Sequence, residues 1–140
     1  MSAIRRVIFT AVMSFAAICA LACGDHGIAP LPPGDGPLTG KWIEPGVDTW
    51  VQLDLSQSSS RVVGYYRLGS ANFGNGARLG DPVPVTGTAA LPHVILNWTT
   101  NGTAFTMDAT LSADGNSLTG ALGPSGQPGA SSSRFNRATQ

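Results

Sequence analysis

The 140-residue chain has room for one domain and no more. Only 11 % of its residues are charged, and its 18 Gly and 10 Pro suit short strands joined by turns better than helices. Formal charge is zero; loss of Arg5 and Arg6 with a leader would leave six basic against eight acidic residues, which argues against a nucleic-acid surface.

Met1 to Arg6 is a short positive segment, followed by a 15-residue apolar run from Val7 to Leu21 broken only by Thr10 and Ser14. A bilayer-spanning helix needs about 20 apolar residues, so the run reads as the core of a cleavable signal peptide, residues 1–22. It ends on Ala20-Leu21-Ala22-Cys23-Gly24. Small residues before a Cys at this distance resemble the lipobox of bacterial lipoproteins, with Ala20 where that family prefers Leu. The resemblance implies that Cys23 is acylated and becomes the new N-terminus. One acyl chain, at about 0.8 kcal/mol per buried CH₂, holds a protein only marginally, whereas two or three anchor it. Cys19 follows the bulky Ile18 and is the poorer candidate; Arg5-Arg6 fits an ordinary positive segment better than a twin-arginine signal. With Cys19 removed and Cys23 acylated, the mature domain has no disulfide. Gly24 in the place where Asp directs inner-membrane retention implies outer-membrane sorting, facing the periplasm, in a Gram-negative organism.

Residues 24–37 carry four Pro and four Gly with no apolar periodicity. Together with Cys23 they read as a tether, reaching roughly 20–40 Å.

From residue 38 to 139 the chain alternates in short segments bounded by turn residues. Eight strands are predicted. Leu38 to Glu44 ends at Pro45-Gly46. Thr49 to Gln57 has Val51, Leu53 and Leu55 on one face. Arg61 to Leu68 has Val62, Gly64, Tyr66 and Leu68 on one face. A long loop, Gly69 to Pro82, includes Asn72, Phe73 and Asn75 and is a candidate barrel mouth. Val83 to Ala90 follows, then Val94 to Trp98, and Asn101-Gly102 signals a hairpin. Phe105 to Leu111 places Phe105, Met107, Ala109 and Leu111 on one face. Asp114-Gly115-Asn116 is a further turn before Leu118 to Leu122, and Ser133 to Ala138 comes last. Such a pattern predicts an all-β fold: an eight-stranded antiparallel up-and-down barrel, with a two-layer sandwich as the alternative. The triplets Leu38-Thr39-Gly40, Val85-Thr86-Gly87 and Leu118-Thr119-Gly120, with Val63-Gly64 as a partial copy, predict strands bent sharply at glycine.

Gly40-Lys41-Trp42 on the first strand and Arg137 on the last resemble the calycin signature of lipocalins, fatty-acid-binding proteins and avidins. That resemblance implies a Trp42 plug covered by Arg137 through cation–π attraction, with Arg134 as the rival. The mature domain also resembles small lipocalin-like lipoproteins of GC-rich bacteria, through Gly-x-Trp, Leu53-x-Leu55-x-Gln57, Val-x-Gly and Phe135-x-Arg137. It is less similar to avidins: Ile43-Glu44-Pro45 replaces their polar loop, and no Trp follows Trp98.

Tyr66, Trp98, Phe105 and Met107 are expected to line the interior, which either holds a small apolar ligand or is filled by its own side chains. In the filled case the outer face or loops would contact envelope partners. Trp50 and Tyr65, on the polar faces of neighbouring strands, are candidate sugar or protein contacts. His26 and His93 have no ligand companion at metal-binding spacing, and no nucleophile elbow or phosphate loop is present. No enzyme activity, cofactor, metal or nucleic acid is expected.

Overall fold

The computed structural model describes residues 28–72, 76–127 and 131–139. The expected signal peptide, residues 1–22, and Cys23, His26, Phe73 and Asn75 lie outside the described residues. Nine strands form: β1 (Gly40–Glu44), β2 (Thr49–Ser58), β3 (Arg61–Asn72), β4 (Gly76–Leu79), β5 (Val83–Ala90), β6 (His93–Thr100), β7 (Thr103–Leu111), β8 (Ser117–Pro124) and β9 (Ser131–Arg137). Each pairs antiparallel with its neighbours around the ring β2-β1-β9-β8-β7-β6-β5-β3, and β3 returns to β2, so the sheet closes as an eight-stranded barrel, not a sandwich. β4 is an appendage on the far end of β3.

Closure follows from the alternation. Leu53, Leu55, Val62, Val85, Val94, Leu96, Met107, Ala109, Leu118 and Phe135 all point inward and are at most 2 % exposed. Full closure also leaves the eight barrel strands no free edge. Asn101 and Gly102 both adopt positive φ, 49° and 75°, the two-residue turn whose twist suits a hairpin.

The Thr-Gly echo marks one device used repeatedly. A Cβ built on Gly64 would lie 2.2 Å from the carbonyl oxygen of Asp54 on the adjacent strand; on Gly87, 2.2 Å from that of Ile95; on Gly120, 2.1 Å from that of Asp108. In each case the crowding carbonyl belongs to the residue just before the glycine's register partner: Leu55, Leu96 and Ala109. Adjacent backbones approach too closely for any side chain there, so the wall can coil tightly around a narrow core.

The ladders give the barrel two ends. Gly40, Ser58, Arg61, Ala90, His93, Leu111, Ser117 and Arg137 mark the lower end; Glu44, Thr49, Val83, Thr100, Thr103 and Pro124 mark the upper.

The loop expected at 69–82 is corrected. β3 runs on to Asn72 and folds back as β4, pairing Gly69 with Leu79 and Ser70 with Arg78. All four β4 residues are exposed, so no apolar alternation announces this hairpin. Leu68 is corrected too: its parity points inward, but it stands above the last packed layer and is 51 % exposed. Leu38 is not part of β1; it turns under the barrel and is fully buried.

Residues 28–37 lie against the outer wall of β2 and β3. The Tyr65 hydroxyl donates to the Ala29 carbonyl (2.9 Å), and Ser56 Oγ donates to that of Pro32 (2.6 Å). Gly36 N donates to Gln57 O (3.1 Å). The last ten residues of the expected tether are therefore a strap fixed to the domain.

Candidate functional site

Trp42 is completely buried near the lower end, and its Nε1 donates to the Leu38 carbonyl at 2.9 Å. The Arg137 guanidinium carbon lies 4.3 Å from the Trp42 ring centroid. Arg137 Nε donates to Gly115 O (3.0 Å), Nη1 to Thr39 O (2.9 Å) and Nη2 to Pro37 O. One side chain thus clips the approach to β1, the β7–β8 turn and the Trp plug together. Gly40, at φ 133°, lies beside it: a Cβ there would meet Arg137 Nη1 at 3.1 Å. Arg134, the rival, is exposed on the outer face.

Gln57 completes this end. It is only 4 % exposed. Its Oε1 accepts from Leu38 N (3.0 Å), its Nε2 donates to Ser59 O (2.8 Å), and its backbone N donates to Thr39 Oγ1 (3.0 Å). The Leu-x-Leu-x-Gln spacing picks out this residue, but its task of fixing Leu38 depends on the strap.

At the upper end the four expected lining residues meet. Tyr66 and Trp98 stack with centroids 5.2 Å apart and planes 19° from parallel; Trp98 and Phe105 stack at 6.2 Å and 16°. Met107 is completely buried in the same core. Val51, Val83 and Leu122, all half-buried, pack against the same core. Trp98 itself is 6 % exposed. The result is an apolar upper end, an aromatic recess floored by the stack, above the continuous buried core. Concavities among the described residues include one at the lower end beside Gly40 and Arg137 and a groove bordered by Pro84, Thr86, Asn97, Trp98, Phe105 and Ser125. Burial, and secondarily Glu44, raises the Tyr66 hydroxyl above its ordinary pKa, so it stays neutral in the recess.

Both outer-face aromatics are occupied. The Trp50 ring covers Gly69, where a Cβ would lie 2.0 Å from the indole Cε2, and Tyr65 carries the strap. His93 is exposed, with Nδ1 3.4 Å from Asp108 Oδ1. Among the described residues no three His, Cys, Asp or Glu gather as a metal-binding group.

The barrel is lipocalin-like in architecture. No protein-family model matches the chain, and no curated protein is significantly similar to it.

Proposed function

We propose that this chain is a bacterial envelope lipoprotein, cut before Cys23 and acylated there, whose filled barrel serves as an interaction module. The observation that carries the choice between carrier and module is the Tyr66–Trp98–Phe105 stack, which occupies the space where a lipocalin-like carrier would seat a ligand. A ligand-binding pocket of about 300–1,000 Å³ must bury most of its guest; this recess ends at Trp98. In an organism with two membranes, Gly24 favours the outer one, with the barrel in the periplasm.

The test has two parts. Intact mass of the protein purified from its own envelope should match a chain starting at Cys23 plus acyl groups, and Cys23→Ser should abolish the added mass. Native mass spectrometry of the detergent-released barrel should show no co-purified small molecule. A chain still carrying residues 1–22 overturns the anchoring, and a stoichiometric bound ligand overturns the module reading.

A further inference from the structure

Large apolar side chains are exposed at four described positions: Val47 at 98 %, Leu68 at 51 %, Leu91 at 45 % and Leu79 at 42 %. Three of the four stand at the upper end. Leu68 is on the inner lip of the mouth and Leu79 pairs beside it on the outer lip. Val47 is in the β1–β2 connection, which is tied to the same hairpin by Ala71 N donating to Asp48 O at 3.0 Å. Charges around this rim have mixed sign, with Glu44, Asp48 and Asp81 against Arg78, so nothing there selects an acidic surface.

The strap decides what this rim faces. It descends the outer wall from Ala29 beside Tyr65 to Leu38 at the lower end. Ile28 lines the same groove as Leu79 and Arg67, so the chain arrives from the upper side. Cys23 is five residues before Ile28, a reach of at most about 18 Å. β2 alone has ten residues, about 33 Å of strand and roughly 25 Å of barrel height at a usual tilt. A leash that short, leaving beside Arg67 and Leu79, makes the upper rim the end nearer to its anchor.

We infer that the upper rim, through Val47, Leu68 and Leu79, seats on the surface of a lipid bilayer, so that the barrel stands mouth-down on the membrane. This deepens the anchoring reading and rests on it. The consequence is that the aromatic recess opens toward lipid, while the Trp42–Arg137 end and the β7–β8 turn face away and are free to meet partners.

The chain from Cys23 onward contains every described residue and a single thiol. Coupling that thiol to a maleimide headgroup in phosphatidylcholine vesicles reproduces the tether whether or not the cell acylates Cys23. Hydrogen exchange read by mass spectrometry should slow about threefold or more at residues 45–50 and 76–80, relative to the same chain with Cys23 capped in solution. Segments 90–93 and 112–116, at the lower end, should be unchanged. Val47→Ser with Leu68→Ser and Leu79→Ser, at three exposed positions, should remove the slowing while the protein stays coupled and the lower-end segments keep the parent's exchange. Equal exchange at both ends, slowing at the lower end, or slowing that survives the triple substitution overturns the inference. The intact-mass experiment tests native acylation separately, so the two failures are distinguishable.

Discussion

Removing the Arg137 side chain should open the barrel at its weakest seam. β1 and β9 pair through two register partners only, Trp42 with Arg137 and Ile43 with Asn136, whereas β2 and β3 pair through ten. Arg137 adds donors to three carbonyls on two separate segments and a 4.3 Å approach to Trp42. A hydrogen bond from a charged group contributes about 1.5–3 kcal/mol, and the cation–π contact about 0.5–2 kcal/mol. Ordering the side chain costs about 2 kcal/mol, and the group is only partly buried, which keeps each hydrogen bond near its lower limit. A net loss of about 3–4.5 kcal/mol for Arg137→Ala is expected, out of about 5–15 kcal/mol for a domain of this size. At about 4–8 °C per kcal/mol, the melting temperature should fall by roughly 12–36 °C. Arg137→Lys should recover less than half, because one ammonium cannot serve that set of acceptors from a stacked plane. Urea unfolding followed by tryptophan fluorescence measures the loss, and hydrogen exchange should rise first at Lys41–Ile43 and Asn136–Ala138. An alanine variant within about 0.5 kcal/mol of the parent, or full rescue by lysine, would refute the clasp.

Trp98→Ala should cost about 3–5 kcal/mol and open a cavity that takes up an apolar probe such as a naphthalene sulfonate in the folded state; a neutral effect on both would deny that Trp98 fills the mouth. Because the Tyr66 hydroxyl is held above its ordinary value of 10.0, the folded state keeps its proton longer than the unfolded one. Stability is therefore complete below about pH 10 and declines as pH rises through the higher folded value. Denaturant midpoints compared at pH 9 and pH 11 should show that decline in the parent, and Tyr66→Phe should flatten it. Gly120→Ala should destabilise by about 1–3 kcal/mol or more, since its Cβ meets Asp108 O at 2.1 Å. Gly102→Ala, which meets nothing within 4 Å and is strained only by its positive φ, should cost about 1 kcal/mol; thermal melts giving the reverse order would refute the close-approach argument.

The wall of this barrel is written in period-two alternation, which is why Leu53, Leu96, Met107 and Phe135 could be assigned to the interior from residue order alone. Trp42 and Arg137 were legible for a different reason: scarce side chains at the two ends of the domain, in a spacing that resembles calycins. The Tyr66, Trp98 and Phe105 faces were equally legible. That the three rings stack and fill the mouth was not, because it depends on distances across a closed sheet that alternation does not encode. β4 was missed because Gly76, Ala77, Arg78 and Leu79 are exposed alike and carry no pattern. The strap was missed because it is held largely through the backbone carbonyls of Ala29 and Pro32, a group that every residue carries. Leu68 was placed in the core by its parity, which reports a side chain's direction and not how much barrel remains above it.

The pairing of β1 with β9 brings the C-terminal residues back beside Lys41, where Ala138 N donates to the Lys41 carbonyl at 2.9 Å. A reporter or affinity handle fused after Thr139 therefore emerges beside Lys41, remote from the aromatic recess. It could mark the protein in living cells without shading the mouth, whereas a loop insertion at Asn101-Gly102 would sit directly beside it.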